Sequence, residues 1–182
     1  ANVGMIQLRE KCLDDRMLLE RAHDLREVTS GQSLFIMNDR PDLAVLSRAD
    51  GVHVGQTEMS VKDVRQIIGA DRLIGVSTHS LVQAKRAVLD GANYIGVGPT
   101  FPSRTKVFDE FPGLDLLAEV AAEIRLPAFA IGGINLQNAS EVLAVGFQRL
   151  AVGSAIASAD NPKQVASRLI EMTASAYDPS PS

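Results

Sequence analysis

Short runs of apolar residues alternate along this chain with longer stretches in which apolar residues return every three or four positions, the signatures of buried strands and of helices packed on a sheet. Val3 to Leu8 reads as the first strand and Asp14 to Ser30 as the first helix. Asp14 suits its cap, Met17, Leu18, Ala22, Leu25 and Val28 form its inward stripe, and Gly31 can take the left-handed position after it. Ser33 to Met37, Gly51 to Val54, Leu73 to Val76, Tyr94 to Val97, Ala128 to Ile131 and Arg149 to Val152 repeat the strand pattern. Pro41 to Leu46 is a short helix, and Ser60 with Asp63 opens another that turns Val61, Val64, Ile67 and Ile68 inward and stops at Gly69. Ser80 to Leu89, Leu114 to Ile124 and Leu136 to Val145 follow as helices, and Asn161-Pro162 opens a closing one with Val165, Leu169 and Ile170 inward. The pattern predicts one domain over residues 1–175 and a disordered tail over 176–182.

Seven strands, each followed by a helix through short connections, imply a parallel α/β sheet with helical crossovers. A doubly wound sheet carries its glycine-rich turn after the first strand. Here the glycine turns Ile131-Gly132-Gly133-Ile134 and Val152-Gly153-Ser154-Ala155 follow the last two strands, which favours a (β/α)8 TIM barrel. Eight strands complete such a barrel, so a first βα unit is expected to precede Ala1, or a partner to fill its place.

Composition narrows the partners. The chain has 22 acidic and 18 basic residues with the signs interspersed, leaving no basic stripe for nucleic acid and no polybasic patch for a membrane surface. No apolar run approaches the ~18 residues of a membrane span. The single cysteine, Cys12, builds no disulfide framework, has no evident base partner and reads as an ordinary, partly buried residue. A reducing, cytoplasmic setting fits best. Oligomeric state is not set by these features.

In a barrel of this kind the chemistry sits just past the C-terminal ends of the strands. Those positions hold Gln7, Arg9, Glu10 and Lys11; Asn38, Asp39 and Arg40; His53, Gln56 and Glu58; Ser77, Thr78 and His79; Thr100, Ser103, Thr105 and Lys106; Gly132 and Gly133; Gly153 and Ser154. Strand alternation would send Arg9 and Lys11 the same way, where two cations can hold a diphosphate; a solvated charge run is the plainer alternative. Asp39 and Glu58 could share Mg²⁺, which takes one or two carboxylates plus substrate phosphate oxygens, or could instead form salt bridges with Arg40 or Arg9. The two glycine turns stand where such barrels cradle phosphate, although tight turns also need glycine for conformation alone. His23 reads as a surface residue, His53 as a group that orients a loop, and His79 as a candidate at a strand mouth. Small phosphorylated molecules are thus the expected ligands.

Five motifs in order carry a resemblance: Gln7-Leu8-Arg9-Glu10-Lys11, Asn38-Asp39-Arg40, Gly51-Val52-His53-Val54-Gly55-Gln56, Gly75-Val76-Ser77-Thr78-His79 and the segment from Gly96 to Lys106. Together with the two glycine turns they resemble the thiamine-phosphate synthase family over nearly the whole chain. The resemblance implies condensation of hydroxymethylpyrimidine diphosphate with thiazole phosphate to thiamine phosphate and pyrophosphate, assisted by Mg²⁺. It implies that Gln7, Arg9, Lys11, Asn38, Ser77 and Lys106 hold the pyrimidine diphosphate, with Arg9, Lys11, Ser77 and Lys106 closest to the chemistry. Asp39 and Glu58 would hold the metal, and Ser103, Arg104, Thr105, Gly132, Gly133, Gly153 and Ser154 the thiazole phosphate. The family usually has Asp where Glu58 stands. Two other readings share the pattern: a thiazole tautomerase-like isomerase, which places a histidine near His79, and a non-catalytic binder of thiamine phosphate. The segment from Ser103 to Lys106 favours the synthase.

Overall fold

In the computed structural model, which describes residues 3–102 and 112–176, the apolar runs are parallel strands and the periodic stretches are the helices between them. The chain divides into two compact clusters, residues 2–77 with 87–94 and residues 78–86 with 95 onward. The first contains β1 (Met5–Leu8), α1 (Asp15–Thr29), β2 (Leu34–Asn38), α2 (Pro41–Leu46), β3 (Gly51–Val54), α3 (Val61–Ile68) and nearly all of β4 (Leu73–Thr78). Phe35, Ile36, Met37 and Val52 are fully enclosed, as expected for parallel strands covered on both faces. β1 to β4 pair in sequence order, with Leu8 level with Met37, Met37 with Val52 and Val52 with Ile74. The next residues therefore stand side by side, and Asn38, His53 and Gly75 are level across three strands.

Polar side chains fasten the opposite ends of these strands. Asp50 accepts hydrogen bonds from the Phe35 amide at 2.7 Å and from Arg26 at 2.8 Å, and Asn93 accepts from the Ile74 amide and from Arg65, both at 2.8 Å. Each satisfies a strand amide that would otherwise be unpaired at a helix-to-strand connection. Conserving register there keeps the functional ends level.

The second cluster takes α4 (Leu81–Leu89) up to Arg86, β5 (Tyr94–Val97) from Ile95, α5 (Gly113–Glu123), β6 (Ala128–Ile131), α6 (Ala139–Ala144), β7 (Leu150–Ala151), α7 (Ser154–Ala157) and α8 (Pro162–Ala176). β5, β6 and β7 are again parallel and in order, Val97 level with Ala130 and Ala130 with Leu150. Ile95, Leu117, Val120, Ala139 and Val142 form its core.

Several boundaries and faces depart from the sequence reading. Met17, Val28 and Ile67 point outward, at 46%, 70% and 42% exposure, so the buried stripes are Leu18, Ala22 and Thr29 on α1 and Val61, Val64 and Ile68 on α3. On α8 the enclosed residues are Ala166 and Leu169 rather than Val165 or Ile170. α6 starts at Ala139 instead of Leu136, because Asn135 and Asn138 bond the local backbone and hold a turn first. β7 is only two residues long, and α7 was not expected. Cys12 is exposed, in the bend that follows β1. Among the described residues no helix is long and apolar enough to cross a membrane.

Candidate active site

β1 ends at Leu8, so Arg9 and Lys11 lie just beyond the strand. Lys11 turns across to β2, with its ammonium 3.4 Å from Asp39. Asp39 has a left-handed backbone, φ 60°, and its amide donates to the His53 carbonyl at 2.8 Å. Asn and Asp adopt this conformation more readily than other side-chain residues, which explains how a carboxylate can stand at so tight a turn. The neighbouring Arg40 is engaged elsewhere: it pairs with Asp15 and with Asp42, the latter at 2.7 Å. Those hydrogen bonds hold both carboxyls below their ordinary range and raise the guanidinium still further. Arg40 is thus a clamp between α1 and α2, and Asp39 is left to Lys11.

The loop after β3 folds over the end of β4. Gln56 donates its side-chain amide to the Ser77 carbonyl at 2.6 Å, and Thr57 donates its hydroxyl to Glu58 at 3.4 Å. The Glu58 carboxylate lies over Gly55, in space that a Cβ there would occupy. Asp39 and Glu58 are therefore oxygen donors on adjacent loops of one cluster, a donor set suited to a hard cation such as Mg²⁺. Among the described residues no group of three or more His, Cys, Asp or Glu is arranged for a metal.

Beneath this surface lies a network that the sequence reading understated. His53, 7% exposed, has Nδ1 3.1 Å from the Tyr94 hydroxyl and Nε2 2.9 Å from the Ser77 hydroxyl. Gly75 makes this possible: an added Cβ would fall on the Tyr94 ring and 2.5 Å from His53 Nδ1. Tyr94 had read only as part of an apolar strand. Its hydroxyl, a polar group within an otherwise apolar run, was the available signal. Burial pushes the His53 ring down to about 4 and holds the Tyr94 phenol up, so both are neutral near pH 7.

That burial has a consequence for stability. An unfolded chain protonates His53 near 6.5 while the folded protein resists until about 4, so the unfolded state binds more protons in between. Stability is full above pH 6.5 and is expected to fall by roughly 3 kcal/mol by pH 4, at 1.36 kcal/mol per unit. The Asp15 and Asp42 contributions disappear only below their unfolded value of 3.8, a separate window. Urea denaturation at pH 7 and pH 4.5 should show the decline, and His53→Gln should flatten it. An equal slope in the variant would assign the effect to other groups.

In the second cluster, His79 donates its Nδ1 proton to the Gly98 carbonyl at 2.5 Å, while its amide is bonded by Gln83 at 2.7 Å. Thr100 donates both its amide and its hydroxyl to the Ile131 carbonyl, at 2.9 and 3.0 Å, and the Phe101 amide donates to Gly132. Gly132 and Gly133 have φ of 103° and 66°, and a Cβ at either would lie 2.8 to 2.9 Å from Pro99 or Phe101. The conformational alternative is therefore real for this pair. Gly153 differs: φ is −110°, and an added Cβ would meet nothing within 4 Å. Asn138, which had read only as part of a helix, donates to the Gly133 carbonyl at 3.0 Å and braces the turn. Ser103, Arg104, Thr105 and Lys106 lie outside the described residues.

Comparison with known proteins identifies the family. A family model described as thiamine monophosphate synthase matches residues 1–156. A thiamine-phosphate synthase of Methanocella arvoryzae is 46% identical over 171 residues, covering 92% of this chain and 80% of that protein. One from Rhodopirellula baltica is 48% identical over 178 residues, 94% of this chain and 48% of that protein. The chain spans about half the length of this and several other curated relatives. The solved structure of a thiamine phosphate pyrophosphorylase from Pyrococcus furiosus superposes with a TM-score of 0.88 at 34% identity, over 96% of this chain and 85% of that one. A 3-hexulose-6-phosphate synthase from Salmonella typhimurium, 17% identical with a TM-score of 0.75, shares the fold alone. The fold is thus of the α/β TIM-barrel class, with seven strands among the described residues.

Proposed function

We propose that this chain, which belongs to the thiamine monophosphate synthase family, condenses hydroxymethylpyrimidine diphosphate with thiazole phosphate to give thiamine phosphate and pyrophosphate. The observation that carries the reading is the pairing of Lys11 with Asp39 and of His53 with Ser77 at the C-terminal ends of β1 to β4, where cation, carboxylate and hydroxyl can meet a diphosphate. Gln7, Arg9, Lys11, Asn38 and Ser77 bind the diphosphate and orient its bridging oxygen, and Lys106 completes the set. Asp39 and Glu58 would hold Mg²⁺, which would supply positive charge near the departing pyrophosphate. As the bond between the pyrimidine methylene and oxygen breaks, both electrons leave with pyrophosphate. Fixed cations stabilise that charge where it develops. The pyrimidine methyl cation is resonance-stabilised, and the thiazole nitrogen closes the new carbon–nitrogen bond without a covalent enzyme intermediate.

Ser103, Arg104, Thr105, Gly132, Gly133, Gly153 and Ser154 receive the thiazole phosphate. The open face of Gly153 supports its part in this, since its packing does not demand glycine. A single domain over residues 1–175 and a cytoplasmic setting belong to the same reading; the exposed Cys12 suits a reducing compartment.

The test is pyrophosphate release in the presence of both substrates, with Mg²⁺ and with chelator. Metal-dependent formation of thiamine phosphate is expected. A folded protein that binds thiamine phosphate without turnover, or that only isomerises the thiazole, would overturn the assignment. Lys106→Ala should lower turnover at least about tenfold while changing stability by less than about 0.5 kcal/mol. Equal losses of both would remove Lys106 from the diphosphate.

A further inference from the structure

The His53 side chain bonds Ser77 on one side and Tyr94 on the other, and it is enclosed with both ring nitrogens engaged. A neutral imidazole carries one proton, so one nitrogen donates and the other accepts. With Nδ1–H, the ring donates to Tyr94 and accepts the Ser77 hydrogen at Nε2. With Nε2–H, it accepts from Tyr94 and donates to Ser77. The two forms leave Ser77 with opposite capacities: in the first its hydrogen points back at the ring, in the second it is available outward.

An anionic ligand decides between them. A phosphate oxygen beside Ser77 can only accept, so the serine must turn its hydrogen outward. If Nε2 were then unprotonated, two lone pairs would face each other across 2.9 Å. The proton must sit on Nε2, which leaves Nδ1 an acceptor for the Tyr94 hydroxyl at 3.1 Å. We propose that Tyr94 and His53 are positioning residues, which set the Ser77 hydroxyl as an outward donor by fixing the Nε2–H tautomer when the diphosphate binds. Burial of both rings supports this, because it disfavours an imidazolium that would donate in both directions and a phenolate that could not donate at all. Gly75 gives the two rings the space to meet. The proposal rests on the assignment of Ser77 to the diphosphate made above.

Two measurements test it, both with inorganic pyrophosphate and Mg²⁺ as the probe. The first uses the unmodified protein: nitrogen-15 NMR of the imidazoles, with the His53 signals assigned by their loss in His53→Gln, distinguishes the tautomers directly. Nε2–H in the bound state is expected, and Nδ1–H there would overturn the proposal whether or not any variant folds. The second is calorimetric affinity. His53→Asn, whose amide falls short of Ser77, should weaken binding about tenfold, the worth of one hydrogen bond to a charged group. His53→Gln, whose amide occupies the Nε2 position, should restore most of it. Added to Ser77→Ala, His53→Asn should cost nothing further, since its effect passes through the serine. If Ser77→Ala weakens binding but His53→Asn does not, the relay fails and the diphosphate assignment stands. If Ser77→Ala has no effect, that assignment fails and the relay with it.

Discussion

Asp39→Asn is expected to leave the fold intact and lower turnover by about 10²–10³-fold, the scale of losing one electrostatic contact to charge that develops in a transition state. Asparagine is the informative replacement because position 39 has a φ of 60°, a conformation that Asn accepts and Ala resists. The amide bond to the His53 carbonyl survives the change, so the turn is kept. What disappears is one negative charge facing Lys11 and, on the proposed reading, half of the carboxylate pair for Mg²⁺. A partly exposed ion pair contributes about 1 kcal/mol or less, so the melting transition should barely move. The Mg²⁺ concentration for half-maximal turnover should rise along with the loss of rate. Arg40→Ala is the control: its partners are Asp15 and Asp42, so it should cost stability with little effect on Mg²⁺ dependence. Unchanged turnover in Asp39→Asn would remove that carboxylate from the mechanism.

The contrast between residues 39 and 40 shows where sequence reading succeeds and where it stops. Asn38-Asp39-Arg40 marked a strand end with chemistry on it, but sequence leaves open whether Asp39 pairs with Arg40 or with something distant. The choice is made by α1 and α2, which present Asp15 and Asp42 to Arg40. The same limit explains the outward turn of Met17, Val28 and Ile67. Helical spacing states that a stripe exists, but the phase of the stripe depends on which strand lies beneath. Strands were the most legible elements, since β3 and β5 are enclosed along all four residues and β6 is an apolar run bounded by proline and glycine. α7 escaped because four residues are too few to show any period.

His53 was legible as a residue at a strand end but not as the centre of a network, because its partners are 24 and 41 residues away. Gly75 is what the network depends on, and Gly75→Ala should destabilise the protein by at least about 3 kcal/mol, the upper range for overpacking a core. The added methyl would strike two aromatic rings, not the tip of a flexible side chain. Tyr94 and His53 are both buried and bonded to each other, so neither can yield without losing that bond, which adds about 1 kcal/mol. Gly153→Ala supplies the comparison: an added Cβ there meets nothing within 4 Å, so it should cost clearly less stability than Gly75→Ala. Urea denaturation of both variants separates a glycine required by packing from one with open space around it. If the two melted alike, the close approach at Gly75 would not be what makes glycine necessary there.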